Sequence, residues 1–88
     1  MSTQATRVAV LSLIVENGAN TTELNQLLHD ASAYIIGRMG IPYRARGINI
    51  ISVAIDAPQD VISALAGRIG ALPGVTSKTA YSNVVTEA

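Results

Sequence analysis

The sequence predicts an α+β domain whose elements run strand, helix, strand, strand, helix, strand. Three observations carry that expectation. Residues 7–15 and 48–55 are runs rich in β-branched side chains, residues 24–31 and 61–69 place apolar side chains at helical spacing, and turn-forming residues separate the runs. With 88 residues the chain has room for a single domain, expected to span 1–88 with its core at about 6–81. A chain of this size buries only about 60–65% of its unfolded surface, so the core is modest. Apolar types make up 49% of the residues and charged types 14%, a balance too apolar for intrinsic disorder.

The first strand holds Val8, Ala9, Val10, Leu11, Leu13, Ile14 and Val15, and Glu16-Asn17-Gly18 ends it as a turn. Asn20 lies three residues before Glu23, a capping-box spacing that starts a helix. Leu24, Leu27, Leu28 and Ala31 then form one apolar stripe, while Asn25, Gln26, His29 and Asp30 form the polar face. From about Ala33 the helical pattern stops. Tyr34, Ile35 and Ile36 are consecutive, and Pro42 cannot donate to a central ladder, so this second strand belongs at an edge.

Arg44-Ala45-Arg46-Gly47 is a polar connection to the third strand, residues 48–55, although a short apolar run of this kind also suits a buried helix segment. Asp56-Ala57-Pro58-Gln59 has the Asp and early Pro of a helix start, and Val61, Ile62, Leu65 and Ile69 supply the inward stripe of a helix that ends near Gly70. Leu72-Pro73-Gly74-Val75 is a turn with Gly placed for positive φ. A last strand follows from Val75 to about Tyr81, with Thr86-Glu87-Ala88 expected to fray. This order matches the split βαβ arrangement of ferredoxin-like folds, βαββαβ, with a four-stranded antiparallel sheet and both helices on one face.

Alternate residues of a strand point to opposite faces, and here both faces are apolar. Strand one offers Val8, Val10, Ser12 and Ile14 on one side and Ala9, Leu11, Leu13 and Val15 on the other. Strand three sets Ile48, Ile50, Ser52 and Ala54 against Asn49, Ile51, Val53 and Ile55. Two helices cover only one side, and a solvated outer face would alternate apolar with polar residues. The expectation is therefore a homo-oligomer, dimer or tetramer, joined through sheet faces or edges, a second copy being the commonest cover. The competing expectation is a monomer that tolerates a large exposed patch.

Composition removes several functions. Lys plus Arg is 6 and Asp plus Glu is 6, giving zero net charge where a phosphate-backbone binder carries a positive excess, so direct nucleic-acid binding is not expected. There is no Cys for disulfides, thiolate metal sites, an iron–sulfur cluster or a Cys nucleophile. Phe and Trp are absent and only Tyr34, Tyr43 and Tyr81 are aromatic, which disfavours a base-stacking sheet. No P-loop or GxGxxG occurs, and the spacing supports no Ser/His/Asp triad, so neither enzymatic activity nor a cofactor is expected. No apolar run approaches membrane-spanning length, and Met1-Ser2-Thr3-Gln4 has no basic flank or cleavage signal. The chain reads as soluble and cytoplasmic, with no membrane partner.

The polar residues near the apolar elements nominate a ligand site at Asn17, Gly18, His29 and Arg38, between subunits. Asn17 and Gly18 lie at the turn into the first helix, where backbone N–H groups face outward and suit a carboxylate or phosphate. His29 also reads as a helix-edge or interface histidine, and one His forms a metal site only if symmetry brings copies together. Arg38, Arg44 and Arg46 read equally as charges protecting an edge strand and as an anion-binding or interface group.

Asn25-Gln26-Leu27-Leu28-His29, Ser32, Ile35, Arg38, Gly40, Pro42, Arg44, Ile50-Ile51, Asp60, Ile62, Ala64-Leu65, Gly67, Gly70, Gly74-Val75 and Lys78-Thr79 recur in order in one small family. On these residues the chain resembles the iron-only hydrogenase system regulators, over about residues 6–80. The resemblance implies an ACT-like, ferredoxin-like domain that associates as dimers or higher oligomers. It also implies a regulatory module, sensing a small molecule or binding a hydrogenase-system protein. Residues 29–48 are also similar to the C-terminal domain of the nickel-responsive repressor, whose interface metal is held by three His and one Cys. His29 falls at one ligand position, but Gly40, Pro42 and Ile48 occupy the others, so that site is not carried over and no resident metal is expected. A metal-binding regulator using symmetry-related His29 side chains and a structural assembly partner without ligand are the alternatives.

Overall fold

The computed structural model describes residues 5–86. Strand β1 spans Thr6–Glu16, helix α1 Thr21–Asp30, strand β2 Ile35–Tyr43, strand β3 Ile48–Ala57, helix α2 Gln59–Gly70 and strand β4 Val75–Thr86. The four strands form one antiparallel sheet in the order β2-β3-β1-β4, the ferredoxin-like arrangement expected. Residues 48–55 are strand, not buried helix, because they supply the ladder between β1 and β2.

One face of the sheet packs against both helices. Ala9, Leu11, Leu13 and Val15 of β1 and Val53, Ile55 and Ala57 of β3 are buried with Leu24 and Leu28 of α1 and Ile62, Leu65 and Ile69 of α2. These are the alternate strand residues and the i, i+3, i+4 helix stripes, each element contributing one face to a shared core. Helix α1 begins where Asn20 Oδ1 accepts from the Glu23 backbone N–H at 3.0 Å. The turn into β4 uses Gly74 at φ 78°, and the connection before β3 ends on Gly47 at φ 64°, both left-handed positions that suit glycine.

The differences from expectation lie at boundaries. Ser32–Tyr34 forms a 3-10 turn, so β2 starts at Ile35, and the Arg44–Arg46 connection is a second 3-10 turn. Asp56 and Ala57 finish β3, paired with Val8 and Arg7, and Pro58 becomes the N-cap residue of α2. Ladder pairing outweighed the helix-start signal of Asp56. Strand β4 runs beyond Tyr81 to Thr86, which pairs with Thr6 instead of fraying; Glu87 and Ala88 lie outside the described residues.

The outer face bears no helix, and its rows follow from the registers. Ile41, Ile50, Ile14 and Thr76 oppose one another across β2, β3, β1 and β4; the adjacent row is Met39, Ser52, Ser12 and Lys78. Ile41 is 59% exposed, Met39 67%, Ile14 43% and Ile50 41%. Both faces of the central strands are thus apolar, and the helices cover one.

Candidate functional site

Leu24 and Leu28 face the core, so Asn25 and His29, four residues apart on α1, lie side by side on its neighbouring face. Ser32 opens the 3-10 turn that follows, and Ile35 opens β2. Arg38 joins them because of an irregularity in the strand. Ile35 opposes Ile55 and Gly37 opposes Ala54, so Ile36 is an extra residue, a β-bulge. The bulge inverts the alternation of everything after it. Arg38 now opposes the buried Val53 and points to the helix side; in an unbulged strand it would point outward.

Asn25, Leu28, His29, Ser32, Ile35 and Arg38 line an open cleft of about 550 Å³ at the β2 edge of the sheet. The Arg38 guanidinium donates to Asn25 Oδ1 across 3.5 Å, a long contact. Among the described residues Arg38 makes no ion pair, and no carboxylate lines the cleft. The half-buried Ile35 forms its apolar wall, with the buried Leu28 beneath.

Of the residues nominated from sequence, His29 and Arg38 meet in this cleft. Asn17 lies elsewhere, with Pro42, Arg44, Gly47, Ile48 and Asn49, where its backbone N–H donates to Gly47 O at 2.8 Å. Gly18, at φ 93°, is an exposed turn residue that lines neither cleft. Asn25 and Ser32, which belong to the family pattern but were not nominated for the ligand site, complete the His29–Arg38 cleft. Asn25 had a detectable signal in its i, i+4 spacing from His29; the Arg38 contact depends on the bulge and had none.

Toward the β4 edge of the sheet, Arg7 of β1 sits over the Tyr81 ring, 5.3 Å from its centroid, and donates to Gln59 Oε1 at 3.2 Å. Among the described residues no group of three or more His, Asp or Glu side chains is placed to hold a metal ion, and no helix is long and apolar enough to cross a membrane.

Fold and cleft together define a ferredoxin-like α+β domain with a donor-lined cleft at one sheet edge and an apolar outer face. Residues 7–79 match the TM1266-like family, described as "Iron-only hydrogenase system regulator, putative", and the chain belongs to that family. Among solved structures it is similar to the uncharacterized protein TM1266 from Thermotoga maritima. The two are 34% identical with a TM-score of 0.83, over 86% of this chain and 96% of that chain. No curated protein matches.

Proposed function

We propose that this chain is a non-catalytic regulatory module of an iron-only hydrogenase system, working in the cytoplasm as a homo-oligomer that senses a small molecule. Family membership supports the regulatory role. The observation that carries the oligomer is the row Ile41, Ile50 and Ile14, exposed across three strands of the face the helices leave open. A face of this kind is buried by association in most proteins that carry one. A second copy is the occupant, because the row contains no charge and the zero net charge of the chain lets copies approach without long-range repulsion.

The sensing site is the His29–Arg38 cleft, whose six lining residues come from α1, the following turn and β2. Zero net charge also favours action through a protein partner over direct contact with nucleic acid. Native mass spectrometry of untagged protein purified without oxygen tests this reading. A dimer or tetramer carrying a defined additional mass is the expected result; a monomer at micromolar concentration would overturn the oligomer, and an oligomer of bare protein mass would overturn resident sensing.

A further inference from the structure

We propose that the cleft between α1 and β2 binds a small organic carboxylate, with the charged end on Arg38 and the aliphatic end on Ile35. The proposal deepens the sensing part of the reading above and rests on it. It follows from which way each polar group of the cleft can hydrogen-bond. A guanidinium only donates, and the Arg38 guanidinium spends a single long bond on Asn25 Oδ1. That bond occupies the acceptor end of the Asn25 amide and leaves its NH2, again a donor, as the free end. Ser32 contributes a hydroxyl and His29 a ring N–H, both able to donate.

Four donor groups therefore converge on one cleft, and no carboxylate among the described residues lines it. The complement of such a lining is an acceptor with two oxygens and a negative charge, and the planar guanidinium fork matches a carboxylate bidentately. The apolar wall selects further. A bare inorganic anion gains nothing from the half-buried Ile35, whereas an aliphatic tail laid against it removes apolar surface from water on both sides. The volume, about 550 Å³, suits a small organic molecule. The Asn17 cleft also holds an arginine, Arg44, with Asn17 and Asn49, but at about 310 Å³ it is smaller and it has no His or Ser donor.

The test is a titration of ¹⁵N-labelled protein followed by amide and side-chain NMR shifts, with 4-methylpentanoate, 4-methylpentanamide and inorganic phosphate as separate probes at millimolar concentration. Saturable shifts centred on Asn25, His29, Ser32 and Arg38 are expected with 4-methylpentanoate. The uncharged amide should bind at least about tenfold more weakly, and so should the carboxylate to Arg38→Gln, because a charge-assisted pair is lost in each case. Arg44→Gln removes an equal charge from a different cleft and should leave binding unchanged. Phosphate binding as tight as the carboxylate, equal binding by Arg38→Gln, or no saturable shift with any probe would overturn the proposal. Native mass measured on the same samples separates the outcomes: an oligomer that ignores the carboxylate overturns this site alone, and a monomer that binds it overturns the oligomer alone.

Discussion

Placing a carboxylate at the β2 end of the outer apolar row should dissociate the proposed oligomer while leaving the fold intact, and Ile41→Asp is the sharpest way to do it. Ile41 is 59% exposed, so just over half of its burial remains for a partner to supply. Complete burial of an isoleucine side chain contributes about 1.5–3 kcal/mol, which leaves about 1–2 kcal/mol per copy. Twofold symmetry counts the position twice, giving about 2–4 kcal/mol from lost apolar burial. Each aspartate also meets an apolar surface with no partner for its charge, which adds a desolvation cost. The total is at least about 4 kcal/mol, roughly a thousandfold in Kd.

The fold should lose no more than about 1 kcal/mol, because the side chain sits on an edge strand, half outside the core. Sedimentation equilibrium gives Kd, and far-ultraviolet circular dichroism with thermal melting reports the fold. Ser63→Asp, exposed on α2 on the helix side, serves as the charge control and should keep the parent dissociation curve. If Ile41→Asp dissociates within threefold of the parent, the outer face is not the interface and the reasoning fails.

Three further outcomes concern the fold itself. Ile62→Ala, at a fully buried position of α2, should cost about 2–5 kcal/mol, read as a fall in Tm of at least about 8 °C. Asn20→Ala removes the acceptor that caps α1 and should cost about 1 kcal/mol in denaturant unfolding, with Asn20→Asp retaining most of it. Gly74→Ala should cost about 1–2 kcal/mol, since φ 78° is a left-handed conformation and the new Cβ would stand 3.2 Å from Ala19 Cβ.

Element order was legible because each element carries its own period. Leu24 and Leu28 repeat at helical spacing, Leu11, Leu13 and Val15 alternate, and all five proved buried on the side their period assigns. The two-faced character of β1 and β3 was legible for the same reason. Boundaries were less so wherever a local signal competed with pairing: Asp56 resembles a helix start, yet Val8 holds it in the ladder. The site was half legible. His29 and Arg38 stand out as polar groups beside apolar elements, but whether they share a cleft turns on the extra residue Ile36 in β2, a property of register that single-strand alternation does not reveal. Asn17 and Gly18 were nominated from turn geometry, which places backbone N–H groups without saying which side chains come near them.

The central position of β1 also governs how the chain reaches its native state. Its pairing with β4 joins residues 60 positions apart at Val15 and Val75, and 80 apart at Thr6 and Thr86. Contacts of that separation are closed against a large loop entropy and slow the search. On a ribosome the first strand made is therefore the last to gain its second neighbour. Until β4 emerges, Leu11 and Leu13 belong to a strand with one open ladder edge, a species prone to mispairing with other nascent copies. Refolding should accordingly be slow for a domain of this length, and its yield should fall as protein concentration rises.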